Sequence, residues 1–235
     1  MLTYPSPHLV TALQNLQAAG KANSVAFRID ECNSYFASKH PAGVSNAFAA
    51  ALWAIDFIFT NAQDGSSGVN FHNTGDTSGY AAIGESDSVV AAVQPLYYGL
   101  FFFSQIFKES RSGVLLESTL TANGVALTAW AIGSDSGTYV VLNNKDTTNA
   151  ATVTITRFPP SARIAKVMTL ASSGSTPSEQ LSNLGIYNGG AAITFGGQAV
   201  ALDGAWRGMS SELAVSNNTV TVTVAAATAA FTHIR

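Results

Sequence analysis

Apolar residues recur at helical spacing in the first half of this chain and at strand spacing in the second. Leu9, Leu13 and Leu16 form a stripe that predicts a helix over 8–22. The short apolar segment 24–31 follows and reads as a buried strand ending in Glu31. Gly43 and Ser45 introduce a second helix, with Ser45 as its expected N-cap. That helix carries Phe48, Leu52, Ile55 and Phe59 on one face and ends near Gly65. Residues 68–72 predict a second strand, 73–84 a loop, and 93–107 a third helix bearing Leu96, Leu100, Phe103 and Phe107. This alternation of helices and short strands is the rhythm of a parallel α/β fold.

The polar stretch 108–113 suits a boundary, and from Val114 the period changes to two. Segments 115–121 and 125–132 flank Asn123-Gly124, a strong hairpin signal. Segments 138–142, 152–156, 163–169 and 220–224 continue the alternation, separated by turn clusters at 134–137 and 143–146. Several short strands with regular turns predict an antiparallel β-sandwich. The expected organisation is therefore an α/β region over 1–111 and a β-sandwich over 112–235. No internal repeat is evident.

Composition narrows the function classes. Of 235 residues, 47% are hydrophobic and only 11% charged, with a mean hydropathy of +0.21, which argues for a folded protein with much buried surface. A net charge of −3 without runs of Lys or Arg gives no reason to expect nucleic acid as a partner. The apolar run 47–59 is interrupted by Asp56 and is too short to span a bilayer. The first residues lack the basic and hydrophobic regions of a signal peptide. Cys32 is the single cysteine, so no intrachain disulfide is possible, and it reads as a packed, inert thiol.

Glu31 stands out as the chemical candidate. It is an acid at the carboxyl end of a buried strand, where α/β barrels assemble their active sites. Alternation sets Phe27, Ile29 and Glu31 on one side of that strand, with Arg28 and Asp30 on the other, towards the covering helices. A merely solvated acid is the plain alternative, and Asp30 is the rival acid. His72 ends the next strand, with no second ligand at metal spacing, so no metal site is expected. Tyr80 lies in the loop beyond and reads equally as a loop anchor or a ligand contact. No phosphate-cradling glycine loop occurs, and no cofactor is expected. Only 26 residues precede Phe27, too few for six further βα units, so the chain is expected to be the back part of a larger enzyme.

Three stretches together carry a family resemblance. They are Phe27-Arg-Ile-Asp-Glu-Cys-Asn-Ser-Tyr35, then Gly43-Val-Ser-Asn-Ala-Phe-Ala-Ala-Ala-Leu-Trp-Ala-Ile-Asp-Phe57, then Gly68-Val-Asn-Phe-His72 with Gly79-Tyr80 and Pro95-Leu-Tyr-Tyr-Gly99. In order and spacing they resemble the C-terminal part of a family 79 glycoside hydrolase, the β-glucuronidase and heparanase group. The resemblance implies the last two βα units of a (β/α)8 barrel, with 24–31 and 68–72 as strands seven and eight, followed by an antiparallel β-sandwich.

The same resemblance makes Glu31 the catalytic nucleophile of a retaining hydrolase. The family's acid/base lies at the end of strand four, which these residues do not contain, so the chain alone is expected to be inactive. The resemblance further places Tyr80 and the backbone of Gly79 on the uronate carboxylate, with His72, Phe36 and Asn33 beside the sugar. Phe36 stands where the family usually has tyrosine, and Ala37-Ser38 replace glycines, which touches uronate specificity. The implied partner is a β-glucuronide substrate, and the full-length enzyme is expected outside the cell. A non-catalytic β-sandwich module, structural or glycan-binding, with a vestigial barrel remnant is the alternative from a different class. An upstream reading frame encoding the strand-four acid would separate the two.

Overall fold

The computed structural model describes residues 2–3, 5–35, 43–75, 77, 79–108, 112–183 and 192–235. The first helix, α1, spans Pro7–Asn23 and starts with proline at its first turn. It stops where Ser24 adopts a left-handed conformation, φ 56°, and Val25 N–H returns to Gly20 O at 3.0 Å. Strand β1, Ile29–Cys32, pairs in parallel with β2, Val69–Phe71. Both are shorter than the sequence pattern predicts. Among the described residues they pair only with each other, and their ladder is interrupted by a bulge between Ile29 and Cys32.

Helix α2, Phe48–Gln63, connects these two strands. Ser45 does not cap it; its hydroxyl donates to Tyr35 O at 3.0 Å. The cap position belongs to Ala47, and the Phe48 amide is satisfied from a distant part of the chain, Asn183 O at 2.9 Å. Tertiary supply of an acceptor thus replaces the local side-chain cap. After β2 comes a hairpin that the sequence reading missed, β3 Ile83–Ser86 with β4 Val89–Val93. Its turn places Asp87 and Ser88 both at positive φ, and its second strand occupies the expected start of the third helix. That helix, α3, runs Pro95–Ile106 and begins only where Pro95 fixes its first turn. It crosses α2 at Gly99, where a Cβ would lie 2.6 Å from Ala51 O. Only glycine permits so close an approach.

A seven-stranded antiparallel sheet follows. Its members are β5 Gly113–Leu116, β6 Leu127–Ser134, β7 Gly137–Asn144, β9 Ile164–Ser172, β10 Ile193–Phe195, β11 Ser211–Ala214 and β13 Thr228–Ile234. The spatial order is β10-β9-β13-β7-β6-β5, with β11 sharing the edge of β9. Among the described residues a second layer holds β8, Ala151–Thr156, and β12, Thr219–Val224. A short helix, α4 Pro177–Ser182, is closed by a capping box between Thr176 and Glu179. Asn123-Gly124 does turn the chain with both residues at positive φ. The paired strands lie further out, however, with Leu116 opposite Ala131, so the expected tight hairpin is a wider connection. The expected boundary at Arg111 lies outside the described residues.

The central strands of the large sheet, β7 and β13, are buried on both faces. Tyr139, Val141, Ala229 and Phe231 join Phe48, Leu52, Ile55, Phe59 and Phe102 of α2 and α3 in one apolar cluster. The alternate positions Val140, Leu142, Ala230 and Ile234 join Ile155, Val220, Val222 and Val224 of the second layer in another. A third cluster, Trp53, Ala54, Phe57 and Leu96, with Cys32, Val69 and Phe71 against it, glues α2 to the parallel strand pair. No helix among the described residues is long and apolar enough to cross a membrane.

Asp56, which interrupts the apolar run of α2, is fully buried and ion-paired with Lys145, itself 3% exposed at the end of β7. The carboxylate also accepts from Thr128 Oγ1 at 2.7 Å and Asn143 Nδ2 at 2.6 Å, and Asn143 Nδ2 donates to Leu52 O at 2.8 Å. Burial pushes the Asp56 carboxyl up, while the Lys145 charge and these hydrogen bonds pull it back. Asn143 and Lys145, expected in a turn cluster, thus belong to the core. Removing one partner leaves a buried charge without compensation, so Asp56→Ala and Lys145→Met are each expected to cost about 3–5 kcal/mol in urea unfolding. The double replacement Asp56→Leu/Lys145→Met should cost less than either single change. Additive losses would contradict this account of the pair.

Candidate functional site

The carboxyl ends of β1 and β2 lie side by side, and chemistry-bearing residues collect there. His72 follows β2 immediately, and its amide donates to Cys32 O at 3.0 Å, fixing the two strand ends together. Glu31 projects at the end of β1 with 76% of its side chain exposed. Its Oε1 lies 3.9 Å from His72 Nδ1, an electrostatic contact rather than a hydrogen bond. His72 Nδ1 is 2.8 Å from the Tyr80 hydroxyl, and the two rings sit 5.7 Å apart. The structure therefore brings Glu31, His72 and Tyr80 into one chain of contacts.

Tyr80 is only 4% exposed, so its ring anchors the loop while its hydroxyl meets His72. Gly79 beside it is buried as well. Asn33, expected beside a ligand, has a bracing role: its Nδ2 donates to His72 O at 2.8 Å and to Tyr80 O at 3.1 Å. Its Oδ1 accepts from Ser34 N at 2.7 Å. One amide thus ties the segments after β1 and β2 to the tyrosine loop. Phe36 and the Ala37-Ser38 pair lie outside the described residues.

The strict alternation expected along β1 does not hold. The bulge sets Ile29 opposite Val69 and Cys32 opposite Phe71, leaving Asp30 and Glu31 both exposed between them. Cys32 turns inward against α2, and Arg28 reaches across to Asn70, with Nε 3.2 Å from Oδ1. Sequence reasoning missed Asn73, whose Oδ1 accepts from the amides of Ala82 and Ile83 at 2.9 and 3.1 Å. It anchors the β3–β4 hairpin to the residue next to His72. The asparagine directly after a strand-end histidine was the available signal.

No family model matches the sequence, and no curated protein matches it. Several solved glycoside hydrolases do share its fold. A 4-O-alpha-L-rhamnosyl-beta-D-glucuronidase from Fusarium oxysporum 12S superposes with a TM-score of 0.69 at 22% identity, over 94% of this chain and 46% of that one. A GH51 alpha-L-arabinofuranosidase from Thermotoga petrophila RKU-1 gives 0.65 at 12% identity, over 97% and 47%. A GH30 endoxylanase from Clostridium papyrosolvens C71 gives 0.57 at 13% identity, over 95% and 46%. The chain thus spans about half the length of the hydrolases it matches.

Cys32 follows Glu31 directly and is half-buried. Its thiol donates to Asn70 O at 3.1 Å, and burial, helped by the Glu31 charge, pushes its pKa up to about 12. The thiolate is the reacting species, so a raised pKa means slow alkylation until the pH approaches that value. Iodoacetamide at pH 8.5 is expected to label folded protein roughly a thousandfold more slowly than the urea-unfolded chain. Equal rates would mean that Cys32 is an ordinary exposed thiol.

Proposed function

We propose that this chain is the nucleophile-bearing part of a retaining glycoside hydrolase acting on β-glucuronides. The observation that carries the reading is the meeting of Glu31, His72 and Tyr80 at the carboxyl ends of two adjacent parallel strands. In barrel hydrolases of this architecture the reacting groups come from those strand ends. The shared fold with glycoside hydrolases, one of them a glucuronidase, supports the class.

A retaining enzyme sets two carboxyl groups about 5–5.5 Å apart. In this reading Glu31, ionised, attacks the anomeric carbon and forms a glycosyl ester as the bond to the leaving oxygen breaks. A second, protonated acid gives that oxygen its proton. The same group then takes a proton from the water that hydrolyses the ester and returns free Glu31. The family resemblance assigns this second acid to a segment outside the 235 residues. The exposure of Glu31 suits a site whose opposite wall comes from that segment. His72 lies between the two, 3.9 Å from the Glu31 carboxylate and 2.8 Å from the Tyr80 hydroxyl. The Tyr80 hydroxyl, with the backbone of Gly79, takes the uronate carboxylate through a charge-assisted hydrogen bond.

The 235 residues alone are expected to show no turnover of an aryl β-glucuronide. Robust activity abolished by Glu31→Gln would place the acid/base within them. In the enzyme with its acid/base present, Glu31→Gln should abolish hydrolysis. Tyr80→Phe should lower kcat/KM for the glucuronide by about ten- to a hundredfold, and for the corresponding glucoside much less. Equal losses on the two substrates would reduce Tyr80 to a loop anchor and remove the uronate assignment.

A further inference from the structure

We infer that Asn217 is an N-glycosylation site, modified on its side-chain amide while the chain is still folding. The inference is independent of the proposed function. Asn217-Asn218-Thr219 is the single place in the 235 residues where an asparagine is followed, two positions on, by serine or threonine without an intervening proline. Asn23, Asn33 and Asn73 carry their hydroxyl neighbour one place too early for transfer. The modification places the chain in a secretory compartment and the modified residue on the surface.

The fold puts this tripeptide at a corner. Strand β11 ends at Ala214 beside β9, and β12 starts at Thr219 in the second layer, so residues 215–218 carry the chain from one layer to the other. Two backbone hydrogen bonds close the corner, from Thr219 N–H to Ser216 O at 2.9 Å and from Ser216 N–H to Thr219 O at 3.0 Å. Asn217 and Asn218 occupy its tip, both exposed, with φ 49° and 57° as in a type I′ turn. Asparagine tolerates that left-handed backbone, and a glycan grows from the side chain, so the finished turn holds the modified residue in solvent without rearrangement.

The same turn explains when the sugar is added. The Thr219 hydroxyl, which the transfer needs, donates to Ser216 O at 2.8 Å in the folded protein and is already engaged. Transfer therefore precedes closure of the corner. Topology supplies the interval: β13 lies between β7 and β9 at the centre of the large sheet, yet comes later in the chain than the tripeptide. Until 228–234 emerge the sheet lacks its central strand, and β11 has only an edge of β9 for support. The co-reactant is a lipid-linked oligosaccharide diphosphate. The Asn217 amide nitrogen bonds to the anomeric carbon of the first sugar, the bond from that carbon to the diphosphate oxygen breaks, and the amide gives up one proton as the lipid diphosphate leaves.

Protein purified from its native source and treated with peptide-N-glycosidase in heavy-oxygen water tests the site. A fall in mass is expected, and peptide mapping should find a heavy-oxygen aspartate at position 217. An unmodified Asn217 in the native protein would overturn the inference. In a eukaryotic secretory host, Asn217→Gly should remove the glycan and keep the fold, because glycine suits the positive φ. Thr219→Val should remove it as well, whereas Thr219→Ser, which retains a hydroxyl, should keep it. A glycan that persists in Asn217→Gly or survives Thr219→Val would overturn the assignment.

The order of events has a separate test. Purified oligosaccharyltransferase with its lipid-linked donor should modify a synthetic peptide spanning 212–224 at least about tenfold faster than the folded 235-residue protein, whose corner must first open. Equal rates would overturn transfer before folding. Glu31→Gln leaves the corner untouched and should be glycosylated to the same extent, so the modification and the glucuronide chemistry stand or fall separately.

Discussion

The buried pair of Asp56 and Lys145 is the constraint on which the arrangement depends. Helix α2 is a shared wall: Phe48, Leu52, Ile55 and Phe59 bind it to the large sheet, while Trp53 and Phe57 bind it to β1 and β2. Apolar packing is non-directional and would tolerate rotation or sliding of such a helix. A fully buried carboxylate that needs Lys145, Thr128 and Asn143 at once leaves one azimuth and one register. That lock fixes where α2 lies on the sheet, and hence where the parallel strand ends come out. The pair contributes definition of the fold more than net stability, since desolvation consumes much of its attraction.

From that wall the candidate site follows in short steps. Trp53 and Phe57 receive Val69 and Phe71 from one face of β2, so the opposite face carries Asn70 and directs His72 towards Glu31. The bulge in β1 lets Cys32 turn inward while Glu31 stays out. Asn33 then joins the segments that bear Glu31, His72 and Tyr80 through two donated hydrogen bonds. Placement of the three groups is thus determined by backbone ties rather than by the groups themselves. This is the kind of support a reacting carboxylate needs to be held in productive geometry.

The parts legible in sequence were those set by local periodicity. Leu9, Leu13 and Leu16 marked α1, the Phe48 to Phe59 stripe marked α2, and the valine–threonine alternation marked β12. What escaped was set by distant partners. Strand β13 is central to the large sheet, yet Thr228–Ile234 shows no alternation because both its faces are buried. Ser45 looked like a cap, but Asn183 supplies the acceptor that α2 uses. Lys145 looked like a turn residue until Asp56, 89 positions earlier, came to meet it. Within the site, Glu31, His72 and Tyr80 were readable as residues. Their contact, the bulge that exposes Glu31 and the bracing role of Asn33 needed the strands in place.

The central claim is that Glu31 forms the covalent bond to the sugar. A glucuronic-acid-shaped electrophile, with its reactive carbon where the anomeric carbon sits, tests it most directly in the enzyme with its acid/base present. Peptide mapping by mass spectrometry should find one adduct, an ester on Glu31, that is lost in Glu31→Gln and prevented by excess glucuronide. A label on Asp30 or on another carboxylate, or no label in an enzyme that still turns over substrate, would contradict the account.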